Sequence, residues 1–272
     1  MTRLDGMTAI VTGAGASGQG IGNGRGSAIR LAEEGARVAL LDVTDSVFET
    51  RDMIVERGGE CLVIECDVTD SASAERAVGE GVSSWGRLDV LVNNVGIGGP
   101  TGTVVDVDLD AWTACFAINV TSMVVMSRFA LPAMIASGGG SIVNMSSVAG
   151  LRGGHAAIAY ATTKGAVVNL TKAMAVHHGH EGVRVNAVAP GLVYTPMVAT
   201  RGIEGELRAQ RASSNLLGTE GTGWDVAEAV LYLASPASRW VTGTVLTVDG
   251  GIDAVVPAMQ NSITSGGATR GR

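Results

Sequence analysis

Several residue types are scarce in this sequence, and each scarcity excludes a class of protein. The 272 residues include 3 cysteines and 6 prolines, and 17% of the residues are charged. Three cysteines are too few, and odd in number, for a disulfide framework, and they fit a reducing compartment. The low proline content argues against a proline-rich or collagen-like chain, and a hydrophobic share of 46% excludes an intrinsically disordered one.

Positive charge is scarce as well, because 19 lysines and arginines face 26 acidic residues and give a net charge of −7. An acidic surface repels phosphate backbones, so we expect no nucleic-acid partner. The longest uncharged stretch, residues 129–151, contains Pro132 and the run Gly138 to Gly140, which we expect to break it into helix, turn and strand rather than a membrane span. The first residues have no apolar run of signal-peptide length, and we therefore predict a cytoplasmic protein without a membrane partner.

Seven short apolar runs alternate with longer segments of helical spacing. The runs are residues 8–12, 38–42, 61–65, 90–93, 141–144, 183–188 and 245–248. Runs this continuously apolar are typical of strands covered on both faces, and the helices between them provide the crossovers that parallel strands need. We therefore predict an α/β fold with a doubly wound parallel sheet in a single domain, residues 1–256. Two segments depart from the alternation: residues 195–225, expected to be a substrate loop, and residues 257–272, expected to be a flexible C-terminal tail.

A glycine-rich segment, residues 12–25, follows the first run and opens the first helix. At this place in a parallel sheet, backbone N–H groups and the helix dipole favour a phosphate, and glycines let the backbone approach it. Asp42 ends the second strand 18 residues after Gly24, near the spacing at which a carboxylate accepts from ribose hydroxyls. Such a carboxylate repels a 2′-phosphate, so NAD is favoured over NADP. The alternative interpretation is a flexible loop and a surface aspartate.

Tyr160 and Lys164 are four residues apart, which places them one helical turn apart on the same face. A nearby cation favours phenolate and lowers the pKa of a tyrosine from about 10. We therefore expect a tyrosine suited to acid–base catalysis on an alcohol–carbonyl couple.

At the level of motifs, the chain resembles the short-chain dehydrogenase/reductase family. The motifs stand in the family's order from residue 4 to residue 251: Val11-Thr-Gly13, Asp67-Val68, Asn93-Asn-Val-Gly96, Asn119-Val120, Ser146-Ser147, Tyr160-Ala-Thr-Thr-Lys164, Val185-Asn186, Pro190-Gly191 and Val248-Asp-Gly-Gly251. The resemblance implies a single Rossmann-type domain with a seven-stranded parallel sheet, usually assembled as a homodimer or homotetramer.

The resemblance also implies roles for four catalytic residues. Tyr160 would be the general acid/base, and Lys164 would bind the nicotinamide ribose and lower the pKa of Tyr160. Ser147 would hydrogen-bond the reacting oxygen, and Asn119 would hold a water in a proton relay to Lys164. The candidate cofactor-binding residues are Gly13, Gly22, Asn23, Gly24, Asp42, Asp67, Val68, Asn94, Tyr160, Lys164, Val193 and Thr195. Among these, Asp67 and Val68 would flank the adenine, Asn94 would line the cofactor groove, and Val193 and Thr195 would contact the nicotinamide carboxamide.

Three features depart from the family's usual pattern. Gly13 and Gly24 are 11 residues apart, five more than usual, as in a subset of the family with a lengthened glycine loop. Val95 replaces the usual alanine, and His155 lies in the segment that borders the substrate, although a surface-loop histidine explains it as well.

We therefore predict an NAD(H)-dependent oxidoreductase that interconverts a secondary alcohol and its ketone. The alternatives are an NAD(H)-binding sensor or scaffold without turnover, and an epimerase or dehydratase, which usually needs a further substrate domain. The segment 195–225 carries apolar residues that predict a mostly apolar pocket for a cyclic or medium-sized substrate: Met197, Val198, Ile203, Leu207, Leu216 and Leu217. Arg201, Arg208 and Arg211 could meet an anionic tail or be solvated helix charges. No metal site is expected, because His177, His178 and His180 lie where a helix should end.

Overall fold

Strands and helices alternate through residues 2–254, the part of the chain that the computed structural model describes. The predicted tail, residues 257–272, lies outside the described residues. The strands are β1 (Thr8–Thr12), β2 (Arg37–Asp42), β3 (Cys61–Glu65), β4 (Val90–Asn93), β5 (Gly140–Met145), β6 (Val183–Pro190), β7 (Val193–Tyr194), β8 (Gly221–Thr222) and β9 (Val245–Val248). The helices are α1 (Asn23–Glu33), α2 (Ser46–Glu56), α3 (Ser71–Trp85), α4 (Leu109–Phe116), α5 (Ser122–Ala136), α6 (Ile158–His178), α7 (Pro196–Ala199), α8 (Gly205–Ser213) and α9 (Gly223–Ala234).

Seven of these strands form one parallel sheet in the order β3-β2-β1-β4-β5-β6-β9, as the apolar runs predict. The chain winds outward from β1 through β2 to β3, and then returns to the other side of β1 with β4. The order therefore reverses between β1 and β4, and in open parallel sheets this reversal opens a crevice at the carboxyl ends of the strands where ligands bind.

Helices cover both faces of the sheet, which explains why its strands are apolar throughout. Val11 and Val92 lie in the buried cluster that includes α1, α2 and α9, whereas Ile10 and Leu91 lie in the cluster that includes α3, α5 and α6. Successive strand residues point to opposite faces, so each strand needs apolar residues at consecutive positions to fill both clusters.

The helical stretch Leu109–Ala136 joins α4 and α5 without a break. Pro132 lies inside α5, so the expectation that it would interrupt the uncharged stretch is wrong, and the helix ends instead before Gly138 and Gly139, which have φ of +96° and +116°. In the described part of the chain this stretch alone has the length and composition of a membrane span, and 44% of its most apolar window is buried within the fold. It packs against α3 and α6, as the core helix of a globular domain does.

The predicted substrate loop, residues 195–225, is more ordered than a simple connection. It contains α7 and α8, and its two ends are joined where β7 pairs with β8 in parallel. We refer to residues 195–220 as the substrate segment.

Candidate active site

The lengthened glycine loop folds back so that its two ends meet. Gly13 follows β1 with φ of +62°, which favours glycine, and a Cβ on Gly24 would collide with the carbonyl oxygen of Gly13. Gly22 precedes α1, and Asn23 and Gly24 form its first turn, so free N–H groups of the helix point into the crevice. The side-chain oxygen of Asn23 is buried there without a hydrogen-bond partner in the described part of the chain. The close approach of the two glycines and the free N–H groups fit the diphosphate of a dinucleotide, to which the Asn23 oxygen, an acceptor, does not contribute.

Asp42 holds this loop from the end of β2. Its Oδ2 accepts a hydrogen bond from the N–H of Gly15 at 2.8 Å, and its Oδ1 accepts from the N–H and hydroxyl of Thr44 at 3.0 and 2.8 Å. The carboxylate is partly exposed at the crevice, where a ribose hydroxyl can donate to it as well. The sequence pointed to Asp42 as a ribose ligand but not to its bond with the loop.

Arg25 is a buried anchor that sequence analysis missed. Its guanidinium is fully buried and donates to the Gly20 carbonyl at 2.9 Å, the Ser46 carbonyl at 3.0 Å and the Thr50 hydroxyl at 3.0 Å. It also forms an ion pair with Glu49 at 2.7 Å. Arg25 therefore ties the middle of the glycine loop to α2.

The next two predicted cofactor residues follow β3. Val68 is buried, whereas Asp67 is exposed and its Oδ1 accepts from the hydroxyl and the N–H of Thr69 at 2.6 and 2.9 Å. These two hydrogen bonds lower the pKa of Asp67. The carboxylate is thus fixed in a local turn, with Val68 as the apolar surface beside it.

Asn94 connects the two strands at the reversal point. Its Nδ2 donates to the carbonyls of Thr12 and Gly13 at 3.1 and 3.0 Å, and its N–H donates to the Thr12 hydroxyl at 3.0 Å. On the other side of the crevice, Val193 is buried in β7 and Thr195 precedes α7. The predicted cofactor residues therefore lie along the carboxyl edge of the sheet.

Ser147 lies beside Tyr160 at the centre of this edge, close enough for its hydroxyl to lower the pKa of Tyr160. Ser147 follows β5, and its Oγ also contacts the Pro190 carbonyl at 3.4 Å. Ser146 points the other way, and its hydroxyl donates to the Lys164 carbonyl at 2.8 Å. The alternation of side chains along the strand thus assigns Ser147, and not its neighbour, to the site.

Burial raises the pKa of Tyr160, and the neighbouring Ser147 hydroxyl and the charge of Arg201 lower it in part. The expectation that Lys164 lowers this pKa is therefore wrong for this structure. The Lys164 ammonium is itself buried, lies 5.8 Å from the centre of the Tyr160 ring and donates to the Met145 carbonyl at 2.8 Å. Burial lowers the pKa of Lys164 to about 8, since desolvation disfavours its charged form.

Asn119 lies in a π-helical turn, Ala117–Thr121, between α4 and α5. Its amide is clamped by the loop after β4: Oδ1 accepts from the Ile97 N–H at 2.8 Å, and Nδ2 donates to the Ile97 carbonyl and the Thr163 hydroxyl at 3.0 Å each. A Cβ on Gly96 would lie 3.1 Å from the Lys164 Nζ and 3.3 Å from the Asn119 Oδ1, so both groups border the same glycine. The turn thus brings Asn119 to Lys164, and π turns of this kind are frequent at functional sites.

His155 lies directly on Tyr160, with ring centres 4.7 Å apart, and its Nδ1 accepts from the N–H of Ala157 at 3.1 Å. The other histidines lie elsewhere: His178 ends α6 and pairs with Glu181 at 2.8 Å. Among residues 2–254, no group of three or more His, Cys, Asp or Glu side chains is arranged to hold a metal ion.

Comparisons with known proteins agree with this geometry. The family model described as enoyl-(acyl carrier protein) reductase matches residues 15–253. A curated relative, cis-4-hydroxycyclohexanecarboxylate dehydrogenase of Sinomonas cyclohexanicum, is 39% identical over 91% of this chain and 96% of its own length. A crystal structure of a short-chain dehydrogenase/reductase from Burkholderia xenovorans is 42% identical, with a TM-score of 0.90 over 94% of this chain and 100% of that one. The structure of 7α-hydroxysteroid dehydrogenase with NADH and 7-oxo glycochenodeoxycholic acid is 34% identical, with a TM-score of 0.84 over 92% of this chain and 95% of that one.

The chain belongs to the short-chain dehydrogenase/reductase family. Within that family it is a nicotinamide-dependent dehydrogenase, an oxidoreductase that acts on CH–OH groups and interconverts secondary alcohols and ketones.

Proposed function

We propose that this protein is an NAD(H)-dependent dehydrogenase for a secondary alcohol within a mostly apolar or cyclic small molecule. The observation that carries the proposal is the grouping of the Ser147 hydroxyl, the Tyr160 phenol and the buried ammonium of Lys164, which lies 5.8 Å from the centre of the Tyr160 ring, at the carboxyl edge of the sheet. Bound nicotinamide supplies the hydride acceptor or donor.

The side chains of the site supply the proton and hold the reacting oxygen. During oxidation Tyr160 takes the proton of the substrate hydroxyl, and during reduction it returns that proton to the carbonyl oxygen. Ser147 donates a hydrogen bond to the same oxygen and stabilises the negative charge that develops on it. Lys164 binds the nicotinamide ribose, and Asn119 positions a water that passes protons to Lys164.

The surroundings of Asp42 support NAD over NADP. A 2′-phosphate would lie against this carboxylate, and the cation nearest in sequence to the glycine loop, Arg25, is fully buried with its nitrogens hydrogen-bonded. A 2′-phosphate would therefore meet the negative charge of Asp42, and Arg25 is not free to offset it. The related 7α-hydroxysteroid dehydrogenase was solved with NADH, which agrees with this preference.

The substrate segment supports an apolar or cyclic substrate. Met197, Leu207, Leu216 and Leu217 are exposed on it at 43%, 61%, 55% and 73%, so the segment offers apolar surface to a substrate. The relative from Sinomonas cyclohexanicum acts on a hydroxylated cyclohexane ring.

The same reasoning extends to assembly and compartment. A groove of about 400 Å³ between α5 and α6 is lined by apolar side chains that include Leu131, Leu170 and Met174, and it shares no residue with the candidate site. A second copy of the chain would cover this apolar groove, which supports a homodimer or homotetramer formed by the domain of residues 1–256. The thiols of Cys61, Cys66 and Cys115 are free, which supports the reducing cytoplasm.

The proposal is tested by following nicotinamide absorbance with a panel of secondary alcohols and ketones, for the wild type and for Tyr160→Phe. We expect turnover with NAD at least tenfold more efficient than with NADP, and loss of turnover in Tyr160→Phe with unchanged NADH affinity. Native-like folding of the variant is checked by circular dichroism. Full turnover by Tyr160→Phe would overturn the assignment of the acid/base, and NADH binding without turnover of any compound would favour a sensor.

A further inference from the structure

The substrate segment carries three arginines, and their partners differ. Arg208 forms a two-pronged ion pair with Glu220, at 2.7 and 2.5 Å, and its guanidinium lies 3.7 Å from the centre of the Tyr194 ring. Arg201 and Arg211 form no ion pair with any carboxylate in the described part of the chain. One of the three cations is therefore neutralised within the segment and two are left.

Arg201 reaches from the end of α7 to the catalytic centre. A Cβ on Gly98 would lie 2.7 Å from the Nη2 of Arg201. Gly98 directly follows Ile97, which clamps Asn119, and precedes Gly99, whose own Cβ would lie 3.4 Å from that of Ala159. The guanidinium thus lies over the loop that lines the site, and its charge lowers the pKa of Tyr160.

Arg211 approaches the same place from α8. Burial lowers the pKa of Arg211, the charge of Arg201 lowers it further, and the charge of Glu220 offsets the two effects in part. Its Nε is buried without a hydrogen-bond partner in the described part of the chain. Two like charges close together repel each other, and a buried donor without a hydrogen-bond partner lowers stability. A bound anion would relieve both.

We infer that Arg201 and Arg211, the arginine pair, bind an oxyanion on the substrate, so that the enzyme acts on a hydroxy acid and its keto acid. The inference rests on the proposed function, because it places the acidic group on the molecule whose hydroxyl meets Tyr160. A guanidinium presents N–H groups in a fork that matches the oxygens of a carboxylate or sulfonate. Solvated surface charge, the simpler interpretation, does not explain a buried Nε on one arginine and the position of the other over Gly98.

Binding of ring compounds to the protein saturated with NADH tests the pair without requiring turnover. Calorimetry compares cyclohexanecarboxylate and cyclohexanesulfonate with the neutral cyclohexanecarboxamide, which has a similar shape. Hydrogen bonds to charged groups are strong enough that we expect at least one acid to bind about tenfold or more tightly than the amide. Added salt should reduce that ratio.

Matched variants assign the effect to the pair. Arg201→Gln and Arg211→Gln should each bring the ratio of acid to amide affinity below about threefold, and Arg201→Lys should restore part of it. Arg128→Gln, the same change on α5 outside the candidate site, should leave the ratio unchanged. Equal affinity of the wild type for both acids and the amide, or an unchanged ratio in both glutamine variants, overturns the inference.

Turnover then separates this inference from the proposed function. Oxidation of 4-hydroxycyclohexanecarboxylate with higher kcat/KM than 4-hydroxycyclohexanecarboxamide supports both. Tight binding of the acids with no turnover of any alcohol would overturn the proposed dehydrogenase function and leave the anion site standing. Turnover of neutral alcohols with no preference for acids would do the reverse.

Discussion

Replacing Arg25 by methionine is expected to destabilise the fold and weaken NAD binding together. Methionine keeps most of the side-chain length but removes the donors that hold the carbonyls of Gly20 and Ser46 and the hydroxyl of Thr50. The glycine loop would then lose its attachment to α2, and the free N–H groups of α1 would lose their fixed position toward the diphosphate.

The magnitude follows from the surroundings of the guanidinium. Breaking a buried ion pair by removing one partner commonly costs about 3–5 kcal/mol. We expect the lower end, about 3 kcal/mol of the free energy of unfolding, because the Glu49 carboxylate is 52% exposed and stays hydrated without Arg25. Thr50 also keeps a partner, since its hydroxyl donates to the Ala14 carbonyl at 2.7 Å.

Urea unfolding followed by circular dichroism measures the loss of stability, and fluorescence titration with NADH measures the affinity. Arg51→Met is the matched control, because Arg51 stands on α2, is 42% exposed and pairs only with its neighbour Asp52 at 2.7 Å among the ion pairs described. Its effect on the free energy of unfolding should stay within about 0.5 kcal/mol. A loss below about 1 kcal/mol for Arg25→Met, with unchanged NADH affinity, would refute the anchoring role.

Three further predictions concern the site itself. Gly24→Ala should lower NADH affinity at least hundredfold, because its Cβ would collide with the carbonyl of Gly13; fluorescence titration within threefold of the wild type would contradict this. Burial lowers the pKa of Lys164 to about 8, so the unfolded chain binds more protons between pH 8 and about 10.5 and this lysine's contribution to stability rises with pH there. Urea unfolding of Lys164→Met should lack that rise, and parallel pH profiles for the two proteins would be inconsistent with it. Because the charge of Arg201 lowers the pKa of Tyr160, Arg201→Gln should move the rise of kcat/KM for alcohol oxidation to higher pH, and an unmoved midpoint would argue against this coupling.

The strands could be predicted closely from the sequence because helices cover both faces of the sheet, so each strand has apolar residues at consecutive positions. The apolar runs at residues 8–12, 61–65, 90–93 and 245–248 have the bounds of β1, β3, β4 and β9. In a strand exposed on one face, polar residues would alternate with apolar ones and make the ends harder to locate. The motifs likewise identified the residues that meet at the carboxyl edge, because parallel strands end at the same edge.

The parts that sequence reasoning missed depend on contacts between distant segments. Burial raises the pKa of Tyr160, and Ser147 and Arg201, 13 and 41 residues away in sequence, lower it in part, so the spacing of Tyr160 and Lys164 could not give the direction of the shift. The role of Arg25 depends on carbonyls of the glycine loop and of α2. Cys115 is fully buried beside Asn119, and the Asn119 Nδ2 contacts its Sγ at 3.4 Å. This contact could have been predicted from the sequence, because Cys115 lies one helical turn before Asn119.

The short ladder between β7 and β8 joins the two ends of the substrate segment. Val193 pairs with Gly221 and Tyr194 with Thr222, and the Asp225 carboxylate accepts from both the N–H and the hydroxyl of Thr222 at 2.7 Å, which fixes the start of α9. Because the two ends are closed on each other, the loop-closure part of the cost of a change of length between them is small, about 0.6 kcal/mol for each doubling. Exchanging the substrate segment between relatives would therefore change the surface that meets the substrate, while the sheet, the glycine loop and the catalytic tyrosine stay in place.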